Sequence, residues 1–172
     1  GTVVAARAAV DSVGLMQRSL AEQALVRQLE YSALVTFNSG HFVYYLDEKT
    51  YMLDLLNLKG KPIQNLCAFL WLTEKDSDGT PTLMYSSMMN SVVENIAPST
   101  TKIELRLHQS RETEVEKALF AQSLLEQFKS RHEGNMPSHS LCVITYMNLA
   151  DGVPVFEFYD LASSREREFV VV

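Results

Sequence analysis

Apolar residues recur with two spacings along this chain, one near 3.6 residues and one of two, and the changes between them mark out its elements. From Val3 to about Tyr31 there is no proline, and Ala, Leu, Gln, Glu and Arg dominate, so residues 1–31 are expected to form a long N-terminal helix. At about 100° per residue, Val10, Val13, Met16, Leu20 and Ala24 fall on one face, while Leu15, Leu25, Val26 and Leu29 gather on nearly the opposite one. A helix lying on its own domain normally keeps a single stripe. Gly14 offers a break, and a helix kinked there over one core would reconcile the two stripes. An unbroken helix would leave the first stripe for another surface.

Alternation with period two begins after this helix. Ala33 to Phe37, then Asn38-Ser39-Gly40, then His41 to Leu46 reads as a hairpin of two antiparallel strands. Glu48 to Leu58 fits two readings: Tyr51, Leu53 and Leu55 alternate as in a strand, and Met52, Leu55 and Leu56 suit a short helix. Gly60-Lys61-Pro62 closes it with a turn. Leu66 to Thr73 is a nearly unbroken apolar run, as in a strand covered on both faces, and Asp76-Ser77-Asp78-Gly79 turns it back into Thr82 to Met88 as a central hairpin. Ser91 to Ile96 is expected to be one helical turn ended by Pro98. Ile103, Leu105 and Leu107 then alternate with Glu104, Arg106 and His108 in a strand with one buried face.

The second helix is expected from Ser110, as its cap, to His132. Glu112, Glu114 and Glu116 sit at its positive end, Lys129, Arg131 and His132 at its negative end, and Gly134 stops it. Ala118, Ala121, Leu125 and Phe128 make its inner stripe. Strands follow at Leu141 to Met147 and Val153 to Tyr159, joined by the loop from Asn148 to Gly152. Glu166 to Val172 is expected to be a last strand, paired into the sheet or left as an edge for a partner. These elements predict a single α+β domain over residues 1–172, with a mainly antiparallel sheet of six to eight strands and the later helix packed on one face.

Composition narrows the function classes. The 172 residues, 47% apolar and 21% charged, resemble an ordinary globular domain and suffice for one core. A net charge of −6, from 15 Lys plus Arg against 21 Asp plus Glu, disfavours a polyanionic partner, so no nucleic acid is expected. The longest apolar run, Cys67 to Leu72, is far short of the ~20 residues a spanning helix needs, so no membrane insertion is expected. Residues 1–11 match a signal peptide poorly, with Arg7 and Asp11 interrupting the Ala-rich stretch. Cys67 and Cys142 form no C-x-x-C pair, and no N-x-[ST] acceptor occurs, which together read as cytoplasmic.

Candidate chemistry is sparse. Glu74, Asp76, Asp78 and Gly79 open like a calcium loop, but the closing position is Tyr85 and Pro81 falls inside, so a solvated turn is the better reading. Cys67 lies among aliphatic residues, where burial raises a thiol pKa and blunts its reactivity. Cys142 has Ser140 and His139 only two or three residues upstream on the same strand, which is not a triad. His41, His108, His132 and His139 show no metal-ligand spacing, and His132 has a capping role. No phosphate-binding glycine loop or hydrolase elbow occurs. No cofactor, metal or catalytic residue is therefore expected.

The expectation is a non-catalytic assembly module whose protein partner is a second copy of itself, a homodimer formed through Val10, Val13, Met16, Leu20 and Ala24. The alternative is a small-molecule sensor or carrier lined by Phe37, Phe42, Tyr44 and Tyr45. An enzyme of unstated class ranks third.

Overall fold

The computed structural model describes residues 2–31, 33–38, 41–149 and 152–163. A helix, α1 (Thr2–Tyr31), precedes strands β1 (Val35–Phe37), β2 (His41–Tyr45), β3 (Thr50–Asn57), β4 (Ile63–Lys75), β5 (Pro81–Leu83), β6 (Met89–Ser91), β7 (Glu94–Ile96) and β8 (Lys102–Gln109). A second helix, α2 (Glu114–Arg131), and strands β9 (Ser140–Asn148), β10 (Pro154–Asp160) and β11 (Ala162–Ser163) complete the described chain. The expected α+β class is observed, with two helices and one large, mainly antiparallel sheet. The expected strand at 166–172 lies outside the described residues.

The sheet runs in the order β10-β9-β4-β6-β8-β3-β2-β11, with β1 on β3 and both β5 and β7 on β4. β10 stands at one end of this order and β11 at the other, yet only Leu161 separates them along the chain. The sheet must therefore curl until its ends approach, which makes it a half-barrel. Contacts between the ends agree: the Phe37 and Tyr159 rings meet edge to face at 4.5 Å, and the Ala33 amide donates to Asn148 Oδ1 at 3.2 Å. Ser140 on β9 ties the turn from β10 into β11, donating from its hydroxyl to the Leu161 carbonyl at 2.6 Å and accepting from the Leu161 amide at 3.2 Å.

Strand patterning places the core on both faces of part of this sheet. Ile103, Leu105 and Leu107 of β8 and Tyr51, Leu53 and Leu55 of β3 point into the half-barrel, where Leu70, Cys142 and Ile144 join them. The alternate positions of β4 and β9 are also apolar because α2 covers them: Trp71, Leu141 and Val143 pack with Ala121, Leu124, Leu125 and Phe128. Two apolar faces explain why residues 66–73 carry no alternation, and one buried face explains why β8 does.

Several local expectations change. The expected hairpin of β1 and β2 does not form: both strands run antiparallel to β3, pairing with Asn57–Leu55 and Met52–Thr50, so they lie end to end on one edge. Asn38 extends that edge, donating from its amide to the Asp54 carbonyl at 2.9 Å and from Nδ2 to Asp54 Oδ2 at 2.8 Å. The reversal comes later, at Leu46–Lys49, where Lys49 takes φ 52° and its amide reaches the Leu46 carbonyl. Residues 50–57 are a strand, since the position between β8 and the β1–β2 edge selects their alternating set. Ser91–Ile96 is extended rather than a helical turn, and Ser91 pairs with Leu107.

The central hairpin forms, but its return strand is broken by a 3-10 turn at Tyr85–Ser87. Three polar side chains meet β4 amides along it: Ser87 Oγ accepts from Leu72 N at 2.9 Å, Ser91 Oγ from Ala68 N at 2.8 Å and Asn95 Oδ1 from Asn65 N at 3.1 Å. The second helix starts at Glu114, capped by Thr113 and not by Ser110. The Thr113 hydroxyl accepts from Glu116 N, and the Glu116 carboxylate accepts from Thr113 N, a capping box. Ser110 bonds the Glu112 amide just ahead of it. Of the expected inner stripe, Ala121, Leu125 and Phe128 are buried and Ala118 is half-buried; Leu124 and Lys117 are buried as well.

Candidate functional site

α1 is helical because its sequence offers nothing better. Ala-rich composition without proline favours the conformation, and Gly14 does not interrupt it: a Cβ built there would meet no heavy atom within 4 Å beyond its neighbours and the helix's own backbone. Its ends are not charge-compensated, with no acidic residue in the first turn and no basic residue in the last. At 1.5 Å per residue the 30-residue helix is about 45 Å long.

Four of the five candidate residues stand on this helix in solvent. Val10 is 70%, Val13 54%, Met16 62% and Leu20 61% exposed; the side chain of Ala24 lies outside the described residues. Leu15 at 65% and Val26 at 59%, from the second stripe, are exposed too. Neither stripe, as far as its side chains are described, is covered by the protomer, so the kinked helix over a single core does not occur among them. Helical stability in proteins comes mainly from packing an apolar face, and the described apolar side chains of α1 receive little of it from the rest of the protomer.

A second surface lies beside the N-terminus of α2. A hollow of about 660 Å³ between β6, β8 and α2 is walled by Val92, His108, Arg111, Glu112 and Glu116. It shares both glutamates with an open groove of about 690 Å³ floored by Phe69, Leu119 and Phe120. The Phe69 and Phe120 rings meet edge to face at 4.8 Å. Leu119 and Val92 remain 64% and 73% exposed. The sequence reading missed this surface, although Val115 and Leu119, spaced i, i+4 on α2 away from its buried stripe, carried the signal.

The aromatic residues of the alternative reading are dispersed. Phe42 is buried in the half-barrel, Phe37 packs on Tyr159, Tyr44 leans on Tyr51 at 4.7 Å, and Tyr45 lies beneath the Arg106 guanidinium at 5.8 Å. Neither hollow beside α2 has any of these four rings in its walls.

Several titratable groups elsewhere have structural roles, while the side chain of His41 lies outside the described residues. Both thiols are free and buried; register sets Cys142 opposite Leu70 and Cys67 opposite Thr145, so they do not face each other. Burial pushes both thiols up, Cys142 the more completely enclosed. Asp76 Oδ1 accepts from the amides of Asp78 and Thr80, closing the turn that resembled a calcium loop. His132 caps α2, with Nδ1 2.8 Å from the Phe128 carbonyl and its ring stacked on Phe128. His139 sits beside Asp160, whose carboxylate accepts from the amides of Ser138, His139 and Ser140. Among the described residues no three His, Cys, Asp or Glu side chains could jointly hold a metal ion, and no helix is long and apolar enough to cross a membrane. No family model matches the chain, and no curated protein matches it in sequence.

Proposed function

We propose that this chain is a non-catalytic assembly module that self-associates through α1, with a second copy covering Val10, Val13, Met16, Leu20 and Ala24. What supports the reading is the exposure of the four described side chains of that stripe on an unbroken helix. A second copy suits the electrostatics. The body carries the chain's whole net charge of −6, while α1 balances Arg7, Arg18 and Arg27 against Asp11, Glu22 and Glu30. Two such helices meet without net repulsion, and closed pairs are the commonest assemblies of soluble proteins.

The test is light scattering on the full chain and on the double variant Val13→Glu, Leu20→Glu. Both positions are exposed, so the half-barrel keeps its melting temperature while the assembly dissociates. An unchanged molar mass in the variant would remove α1 from the interface.

A further inference from the structure

Resting on that reading, we infer that the two α1 helices pair in parallel and in register as a short two-stranded coiled coil, with Gln17 of each copy facing Gln17 of the other. The helix carries a seven-residue repeat that the five stripe residues only partly reveal. Val3, Val10, Gln17 and Ala24 occupy one position of the repeat, and Ala6, Val13 and Leu20 occupy the position three residues on. Alternate steps of three and four keep these residues on one seam. Ala6, Val10, Val13, Gln17 and Leu20 are all exposed in the protomer. The next seam position is Arg27, where two copies would set like charges against each other, so the repeat ends at Ala24.

The flanks of this seam are small or uncharged: Ala9, Met16 and Gln23 on one side, Gly14 and Ala21 on the other, with Arg7 at the outer end. Asp11, Arg18 and Glu22 fall on the side away from it. Nothing charged opposes close approach along the middle of the helix, and β-branched residues at Val3 and Val10 suit a two-stranded parallel coil.

Gln17 decides the direction. In a parallel, in-register pair its amide meets the same amide on the other helix, and each can donate to and accept from the other. In an antiparallel pair with the seams overlapped, the two kinds of seam position oppose each other, Ala6 against Ala24, Val10 against Leu20 and Val13 against Gln17. The Gln17 amide is then left without a partner, which costs free energy in a desolvated seam. A single Asn or Lys at the same seam position sets register and strand number in coiled coils, and Gln17 brings a comparable need for a polar partner.

The experiment is disulfide trapping on the full chain carrying Ala6→Cys or, separately, Leu20→Cys, under mild oxidation with oxidised glutathione. The unsubstituted chain, whose two cysteines are buried, is the control. Parallel pairing brings each new thiol against its own copy, and both variants give a covalent dimer on a non-reducing gel. Antiparallel pairing separates the two introduced thiols along the helix axis by about 27 Å for Ala6→Cys and about 15 Å for Leu20→Cys, too far for a disulfide. Failure of both variants to cross-link while the chain still sediments as a dimer overturns the parallel register and leaves the assembly reading standing. A monomer at every concentration overturns both.

Discussion

At the scale of single residues, polar side chains hold the sheet where its backbone ladder fails. Ser91 is the clearest: its hydroxyl meets the Ala68 amide at 2.8 Å in a wholly buried stretch of β4. Ser91→Ala leaves that amide unpaired and is expected to cost about 1–3 kcal/mol in urea unfolding, as for other stranded buried donors. A loss under about 0.5 kcal/mol, the range of an ordinary surface change, would contradict that role. Tyr159 contributes to the alkaline limit, together with the buried thiols of Cys142 and Cys67, which burial also raises. Burial, reinforced by Glu157, Tyr146 and Cys142, pushes its hydroxyl from the ordinary 10 up to about 12, and Tyr146 is raised as well. The folded chain then holds protons that the unfolded chain releases, so stability present below pH 10 falls as the pH rises toward 12. Urea midpoints at pH 8 and 11 should drop less for Tyr159→Phe than for the unsubstituted chain. Equal drops would place the alkaline sensitivity elsewhere.

At the scale of elements, what could be read in advance depended on whether local pattern or distant pairing decided the outcome. β8 was legible because a strand with one buried face writes alternation directly into its residues. β4 was legible as a doubly covered run, α1 from its composition, and α2 from its charged ends and inner stripe. The start of α2 was misplaced because Ser110 and the three glutamates after it make an attractive cap, although Thr113-Glu114-Val115-Glu116 is the stronger signal. The hairpin at 38–40 failed for the opposite reason. Asn, Ser and Gly favour a turn locally, but β3 offers one continuous edge, and pairing with it outweighs the turn preference. Residues 89–96 were unreadable as strands because their short ladders take β4 and β8 as partners. The candidate stripe was visible by periodicity, whereas the groove beside α2 needed β4 to bring Phe69 against Leu119 and Phe120. α1 itself makes a testable point: Gly14 weakens it, and an added Cβ there would meet nothing else in the protomer. Gly14→Ala should retain helical signal at 222 nm to higher temperature, with a gain of roughly 0.5–1 kcal/mol. No gain would mean that the backbone at Gly14 is not helical in solution.

At the scale of the whole molecule, two apolar clusters, one within the half-barrel and one beneath α2, stabilise the body, and none of the described side chains of α1 belongs to either. The body keeps the net negative charge, and the neutral helix carries an uncovered apolar stripe at Val10, Val13, Met16 and Leu20. That division of labour underlies the proposal that α1 exists to join copies of the chain. Three repeats of seam make a small interface, near the lower bound for stable association, so assembly should respond to concentration. The most direct measurement is sedimentation equilibrium of the full, unsubstituted chain over a wide concentration range. The account predicts a mass approaching twice 19.4 kDa as concentration rises, and a mass of 19.4 kDa throughout would contradict it.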